Sequence, residues 1–415
     1  MRMPETIDVL LAGGGMICRD QILPSLYQLQ REGTVGTITV CARHARTLRR
    51  LADDRELAEA FPGASFEAVP SLDEPEDRVV SDAYTIALRR MAPYQLVFVA
   101  VPDHLHFAFV DAALDADQHV VAVKPLVLTY RQAEAIREKA YARGLFVGVE
   151  YHKRFDRRAL EARRLYRAGR FGEFRLGEAR LFEPYYYRHS NFQNWFTTEN
   201  SDPFTYIGCH YIDQVHFVTG LLPTEVSVRG VEGTFPNGNR GYLWSAARVV
   251  WENGAVLDVL NGLGYPDDGG SWNDQGLRLY CEGEGATGAV IHDDRYRGVM
   301  HAYAQGDGPR FRMLNPDYFR LLPWEGPGLR PVGYGFDSVA ALVRAATACN
   351  AAARARDDAL QARRKVLRQI DEQGLLATPA NSAFNELVIE AGRMSIRDAG
   401  RPVRIAYQPH PHVVG

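Results

Sequence analysis

Three groups of residues in this 415-residue chain have types and spacings suited to chemistry. Lys124, followed by Pro125, closes the apolar run 119–123. A lysine at such a strand end can hydrogen-bond a substrate hydroxyl and take or give its proton. Tyr206, His210 and Asp213 stand at i, i+4 and i+7, so in a helix they share one face. A phenol, an imidazole and a carboxylate together could form a proton relay, or could simply satisfy one another in a partly buried helix. His216 lies off that stripe and reads as structural. Gly13, Gly14 and Gly15, with Met16 and Ile17, join an apolar run to a helical pattern. In a dinucleotide-binding turn, glycines let the backbone approach a pyrophosphate at the helix N-terminus. With Gly14 as the middle glycine, the outer positions are Ala12 and Ile17, so the pattern is incomplete and a plain tight bend is the alternative.

The residues closing the second strand decide how a ribose is read. An acid there suits the 2′-hydroxyl of NAD, and a basic residue suits the 2′-phosphate of NADP. Here Ala42 precedes Arg43 and His44 with no acid, which favours NADP over NAD. Val101, Pro102 and His106 follow a third strand and, with Lys124 and Pro125, are expected at the carboxyl edge where a cofactor binds. His104 and His106 lack a nearby Cys or Glu set that would complete a tetrahedral site, so no metal is expected, and a packing or cofactor-contact role is the reading for them.

The elements that must position these residues follow from periodicity. Apolar runs at 7–12, 37–41, 96–101, 119–123 and 145–149 alternate with helical stretches, which predicts βαβ units and a doubly wound parallel sheet of Rossmann type over residues 1–150. Continuously apolar strands fit a sheet covered on both faces. Beyond 154 the strands at 175–182, 225–231, 246–251, 255–260 and 277–281 are separated by turn-rich pieces. They predict an open, largely antiparallel mixed sheet in a second α/β domain over 151–415, with helical segments at 339–371 and 381–399.

Composition narrows the partners. Hydrophobic residues make up 46% and charged ones 24%, as in a folded globular protein. A net charge of −3 offers no case for nucleic acid or a membrane surface. No apolar window is long enough to span a bilayer. Cysteines 18, 41, 209, 281 and 349 lie far apart without a CxxC, which points to free thiols in a reducing cytoplasm.

Taken together, these pieces resemble the glucose–fructose oxidoreductase / inositol dehydrogenase / MocA (Gfo/Idh/MocA) family over most of the chain. The resemblance rests on Gly14, Gly15 and Met16, on Pro102 through His106, and on Lys124, Pro125 and Leu126. It continues through His152 to Phe155, Gly208 to Asp213, Tyr334 to Asp337, and Val388 to Ala391. It implies an N-terminal Rossmann domain, a C-terminal sheet whose outer face joins copies into a homodimer or homotetramer, and hydride transfer between nicotinamide and a carbinol carbon. Lys124 matches the lysine of the family's Glu-Lys-Pro motif, His210 its catalytic histidine, and Asp213 a further acid. Two positions depart: Val123 replaces the glutamate, and Tyr206 stands where many members place an aspartate.

The expected function is therefore NAD(P)-dependent oxidation or reduction of a hydroxyl carbon on a sugar, sugar derivative or cyclitol. Lys124 polarises the reacting oxygen, and His210, with Tyr206 or Asp213, moves the proton. Tyr151, Arg154, Trp195, Trp272 and Asn273, together with the aromatic run 185–187, are candidates to line a polyhydroxylated ligand. Two alternatives remain open. One is an NAD-dependent glycosidase working by transient oxidation and elimination, motivated by Tyr206. The other is a non-catalytic dinucleotide sensor, motivated by Val123 and the incomplete glycine pattern.

Overall fold

The computed structural model describes residues 6–267, 273–284, 286–293, 300–305, 308–313, 318–354 and 357–415. The chain opens with β1 (Ile7–Ala12), α1 (Leu23–Arg31), β2 (Val35–Cys41), α2 (Ala45–Ala52), α3 (Arg55–Ala60) and β3 (Glu67–Val69). Then follow α4 (Ala83–Arg90), β4 (Leu96–Val99), α5 (His106–Asp115), β5 (His119–Val123), α6 (Tyr130–Arg143) and β6 (Val147–Glu150). The six strands form one sheet in the order β3-β2-β1-β4-β5-β6, all parallel. The strand order reverses between β1 and β4, so the crevice at their carboxyl ends is the topological switch point at which such sheets bind ligands.

The second half runs through α7 (Arg157–Arg167), β7 (Glu173–Pro184), α8 (Cys209–Thr219), β8 (Pro223–Thr234), β9 (Arg240–Trp251), β10 (Val256–Tyr265), β11 (Asp274–Gly283) and β12 (Ala286–Asp293). Two short hairpins follow, β13 (Met300–Gln305) with β14 (Gly308–Met313) and β15 (Arg320–Pro323) with β16 (Leu329–Val332). The chain ends in α9 (Tyr334–Ala353), α10 (Ala359–Gln373), α11 (Pro379–Ser382), α12 (Phe384–Arg397), β17 (Val403–Ala406) and β18 (His412–Val414). Eight of these strands form the expected open mixed sheet, ordered β12-β11-β7-β10-β9-β8-β17-β18, with only β7 and β10 parallel. Its inner face buries Leu257, Val259, Val226, Val228 and Leu279 against Ile212 and Val215 of α8 and Leu387, Val388 and Ala391 of α12. No described helix is long and apolar enough to cross a membrane, and all five cysteines are buried and free.

A single cut at residue 150 does not describe the packing. One compact unit holds 1–126, 132–152 and 318–381, and the other holds 127–131, 153–317 and 382–415. The physical reason is a sheet face that the first 150 residues leave uncovered. Val339, Leu342 and Val343 of α9 join Leu11, Val9 and Val121 in one core. Leu342 packs so closely that a Cβ on Gly148 would lie 2.4 Å from it. The helical region expected over 339–371 consists of α9 and α10, and Asp358 caps the second by accepting the Gln361 N–H.

Two buried histidines set an acid limit on the fold. His119 accepts the Phe146 N–H on Nδ1 at 2.9 Å and faces Asn350 Oδ1 with Nε2 at 2.9 Å. Burial pushes it down to about 4. His216 is also pushed down by burial, to about 4, with Nδ1 donating to the Leu221 carbonyl. Both are neutral in the folded chain at pH values where the unfolded chain is protonated. Their contribution is complete above about pH 6.5 and is lost as the pH falls toward 4, on the order of 3 kcal/mol each. Chemical denaturation at pH 7, 5.5 and 4.5 should show this decline. His119→Gln should be less stable at pH 7 yet lose less between pH 6.5 and 4.5.

Candidate active site

At the end of β1, Gly13 adopts φ +122, and a Cβ there would lie 2.2 Å from the Ala100 carbonyl oxygen. Its N–H donates to Cys41 O at 2.9 Å, and Ala100 N–H donates to Ala12 O at 2.9 Å. The turn is thus clamped between the carboxyl ends of β2 and β4, and Gly13 is its indispensable glycine. A Cβ on Gly14 would press on Thr47 Cγ2 at 2.7 Å, whereas Gly15 is exposed with nothing within 4 Å. Met16 and Ile17 begin a helix whose next residues, Cys18–Ile22, wind as a π-helical turn before α1. Such turns recur at functional sites.

Past β2, Arg43 is exposed and His44 is half-buried at the N-cap of α2. Among the described residues, the buried His44 Nδ1 has no hydrogen-bond partner. An open glycine edge at a helix start, with an unsatisfied imidazole nitrogen and a guanidinium at the second strand end, fits a dinucleotide phosphate and ribose.

His106 is fully buried and faces Val101 O with Nε2 at 2.8 Å and Pro125 O with Nδ1 at 2.7 Å. It ties together the loops that follow β4 and β5, the packing role that was one of its two expected readings. Pro102 lies in the first of these loops, and Lys124, 9% exposed, opens the second. Tyr151 is buried beyond the end of β6. Among the described residues, no three His, Cys, Asp or Glu side chains gather as metal ligands.

The second unit holds the other candidates. Arg154 and Asp213, expected to line a substrate and relay a proton, are consumed by each other. Arg154 Nε and Nη2 donate to the Asp213 carboxylate at 2.7 and 2.6 Å, and Asn385 adds a third bond at 3.0 Å. Both side chains are at most 2% exposed, so the pair is a buried structural anchor for α8. The expected α-helical face over 206–213 is also modified. Phe204–Gly208 is a π-helical turn, and α8 starts only at Cys209. Gly208 allows this close approach, since a Cβ there would lie 2.7 Å from Asn261 Oδ1. His210 is buried in the first turn of α8. Tyr206 packs edge-on against Phe192 at 5.0 Å, Trp195 at 5.9 Å and Phe196 at 6.0 Å, which makes it part of an aromatic platform. Asn273 donates to Glu183 and accepts from Gln275. Trp272 lies outside the described residues.

Sequence reasoning missed a network in the first unit that joins Gln21, Glu150, His152, Ser338 and Tyr318. Its local signal was Glu150 directly after the apolar run 145–149, with His152 two residues on. Gln21, Tyr318 and Ser338 lie far away in sequence.

Residues 7–151 match the oxidoreductase-family domain with an NAD-binding Rossmann fold, and residues 159–284 match the Gfo/Idh/MocA C-terminal domain. The chain belongs to the Gfo/Idh/MocA family. Inositol 2-dehydrogenase 1 of Saccharopolyspora erythraea is 29% identical over 270 residues, covering 63% of this chain and 73% of that protein. Matches to the other curated relatives span 22–61% of their own lengths, 39% for the first of them. Two solved Gfo/Idh/MocA-like structures share the fold. GenD2 from gentamicin A biosynthesis, in complex with NAD, has a TM-score of 0.67 at 16% identity, covering 98% of each chain. An inositol dehydrogenase homolog from Azotobacter vinelandii, complexed with NADH and myo-inositol, has a TM-score of 0.65 at 19% identity, covering 97% of this chain and 98% of that one.

Gly13→Ala should clash with a backbone carbonyl and strain the turn, lowering Tm by several degrees and abolishing NADH binding in a fluorescence titration. Gly15→Ala, which meets open space, should retain the wild-type Tm.

Proposed function

We propose that this chain is an NAD(P)-dependent dehydrogenase acting on a CH–OH group of a cyclitol or sugar derivative. The observation that carries this reading is the carboxyl edge of the parallel sheet, where a glycine turn without room for a Cβ at Gly13 shares the edge with Lys124. The inositol dehydrogenases among the relatives support the substrate class. Gly13, Gly14, Gly15, Met16 and Ile17 would hold the pyrophosphate of the dinucleotide. Arg43 and His44, with no acid between 42 and 44, favour the 2′-phosphate of NADP. When bound, the oxidised dinucleotide would accept a hydride from the carbinol carbon and the reduced one would donate it. Lys124 polarises the reacting oxygen and His210 carries a proton. Trp195 and Asn273 offer stacking and hydrogen bonding to a polyhydroxylated ring.

The test is a 340 nm screen of myo-inositol, scyllo-inositol, glucosides and sugar acids with NAD⁺ and NADP⁺. Reduction should be faster with NADP⁺. Lys124→Ala and His210→Ala should each lower kcat by about 10²–10⁴. Cleavage of a glycoside without net absorbance change would replace this reading with a glycosidase, and failure to bind either dinucleotide would sink it.

The outer face of the eight-stranded sheet supports self-association. Leu176, Val231, Leu260, Tyr280 and Ile291 are each 47–62% exposed on it. Cross-strand pairs Arg278–Glu178 and Arg248–Asp258 lie between them. Mixed apolar and paired-charge surfaces of this kind suit a dimer or tetramer interface. In sedimentation, Leu176→Glu combined with Leu260→Glu should run as a monomer while the wild-type chain runs as an oligomer.

A further inference from the structure

The hairpin of β15 and β16 carries charge that has no part in the roles above. Over residues 320–332 it bears two arginines, Arg320 and Arg330, and one acid, Glu325. Arg320 pairs in register with Val332, and Arg330 with Leu322. The two arginines are therefore diagonal neighbours on one face of the hairpin, with Leu322 and Val332 completing that face. Diagonal neighbours stand roughly 7–8 Å apart, close enough for two long side chains to hold one small group.

Among the described residues, neither guanidinium has a carboxylate partner, and the Nε atoms of both are buried without a hydrogen bond. Arg320 Nη1 donates to the Phe319 carbonyl at 3.0 Å. Burial pushes the Arg320 guanidinium below its ordinary value. The acids of neighbouring segments are placed elsewhere. Glu32, at the end of α1, faces Arg344 at 4.0 Å, and Glu325 is exposed at the tip of the hairpin. Other arginines of the same unit are matched, Arg19 with Asp54 and Arg49 with Glu76. Two like charges side by side on a sheet repel, and buried donors without acceptors add to that cost. An anion seated between the forks relieves both.

The hairpin is also fastened so that these side chains are held in place. Gly328 adopts φ +70, and a Cβ there would lie 2.3 Å from the Ala60 carbonyl oxygen. Arg31 of α1 donates Nη1 to Leu329 O at 2.8 Å and Nη2 to Ala60 O at 2.9 Å, tying β16 to the end of α3. Phe319 and Pro331 are buried on the opposite side of the hairpin. A guanidinium is a planar fork of donors that matches phosphate oxygens, and two of them carry the charge that balances a phosphate monoester dianion. A fixed backbone beneath such donors lowers the ordering cost of binding.

We propose that Arg320 and Arg330 form a binding site for the phosphate group of a small molecule, built from residues that the dinucleotide reading does not use. The site stands or falls independently of the dehydrogenase reading.

The test titrates the full-length chain with inorganic phosphate by calorimetry, with chloride holding the ionic strength constant. Wild type and Arg43→Ala should bind it alike, whereas Arg320→Gln and Arg330→Gln should each weaken it about tenfold or more. The dissociation constant should stay within about twofold in saturating NADPH. Glucose 6-phosphate, run in parallel, separates the sources of the phosphate. Tighter binding than inorganic phosphate marks an ester as the ligand, equal or weaker binding marks free phosphate, and either supports the site. Thermal melts in phosphate-free buffer check folding. If a Gln variant melts well below wild type, Arg320→Lys and Arg330→Lys, which keep the charge and lose the fork, should still bind about threefold more weakly. Absence of binding in wild type overturns the site, as does unchanged affinity in the folded arginine variants. Binding that is lost in Arg43→Ala or displaced by NADPH overturns it too, because the phosphate then belongs to the dinucleotide turn.

Discussion

Six parallel strands that are apolar on both faces cannot leave either face to water. Most of the first unit follows from that constraint. Helices from the alternating strand–helix segment cover part of the sheet, and α9 returns from nearly two hundred residues downstream to complete the cover. Each fully buried Leu or Val that α9 contributes is worth on the order of 1.5–3 kcal/mol relative to exposure. The return also carries chemistry. Tyr334 and Ser338 of α9, with Tyr318 ahead of it, reach the end of β6 and surround Glu150 and His152. The element that covers the sheet thereby builds the polar network at its carboxyl edge.

The second unit is organised around a buried charge pair. Arg154 and Asp213 meet through two short bonds with Asn385 as a third partner, so the desolvated carboxylate is saturated. Such a pair contributes less to stability than its geometry suggests, but removing one partner leaves the other charge stranded. Its effect is to tie α8, which carries His210, to Arg154 and to Asn385 of α12. The π-helical turn at Phe204–Gly208 requires a close approach to the sheet, and Gly208 and Asn261 supply it.

Much of the fold was legible from periodicity. The apolar runs at 7–12, 96–101, 119–123 and 145–149 became β1, β4, β5 and β6, and the strands beyond 170 became β7 to β11. The glycine turn was legible in position, though the critical residue is Gly13, because the Ala100 carbonyl that excludes its Cβ lies on another strand. The pairing of Arg154 with Asp213 was not legible, because an i, i+4, i+7 stripe at 206, 210 and 213 records which residues share a face and says nothing about what stands opposite. Of the two roles open for His106, packing or cofactor contact, the sequence could not show the first, since both its partners are backbone carbonyls on separate loops.

The sequence by itself determined the local states: where strands and helices form, which faces are apolar, and which strand ends bear Lys124 and the glycines. These depend on the period of side chains along one short segment and on the conformations that glycine alone adopts. Only the tertiary structure decided which distant residues meet. It sent 318–381 back to the first unit, joined Arg154 to Asp213, and surrounded Glu150 with Gln21, His152 and Ser338. Such pairings are set by which buried surfaces and charges have no other partner once the sheet has formed, and that information is held by no single stretch of chain.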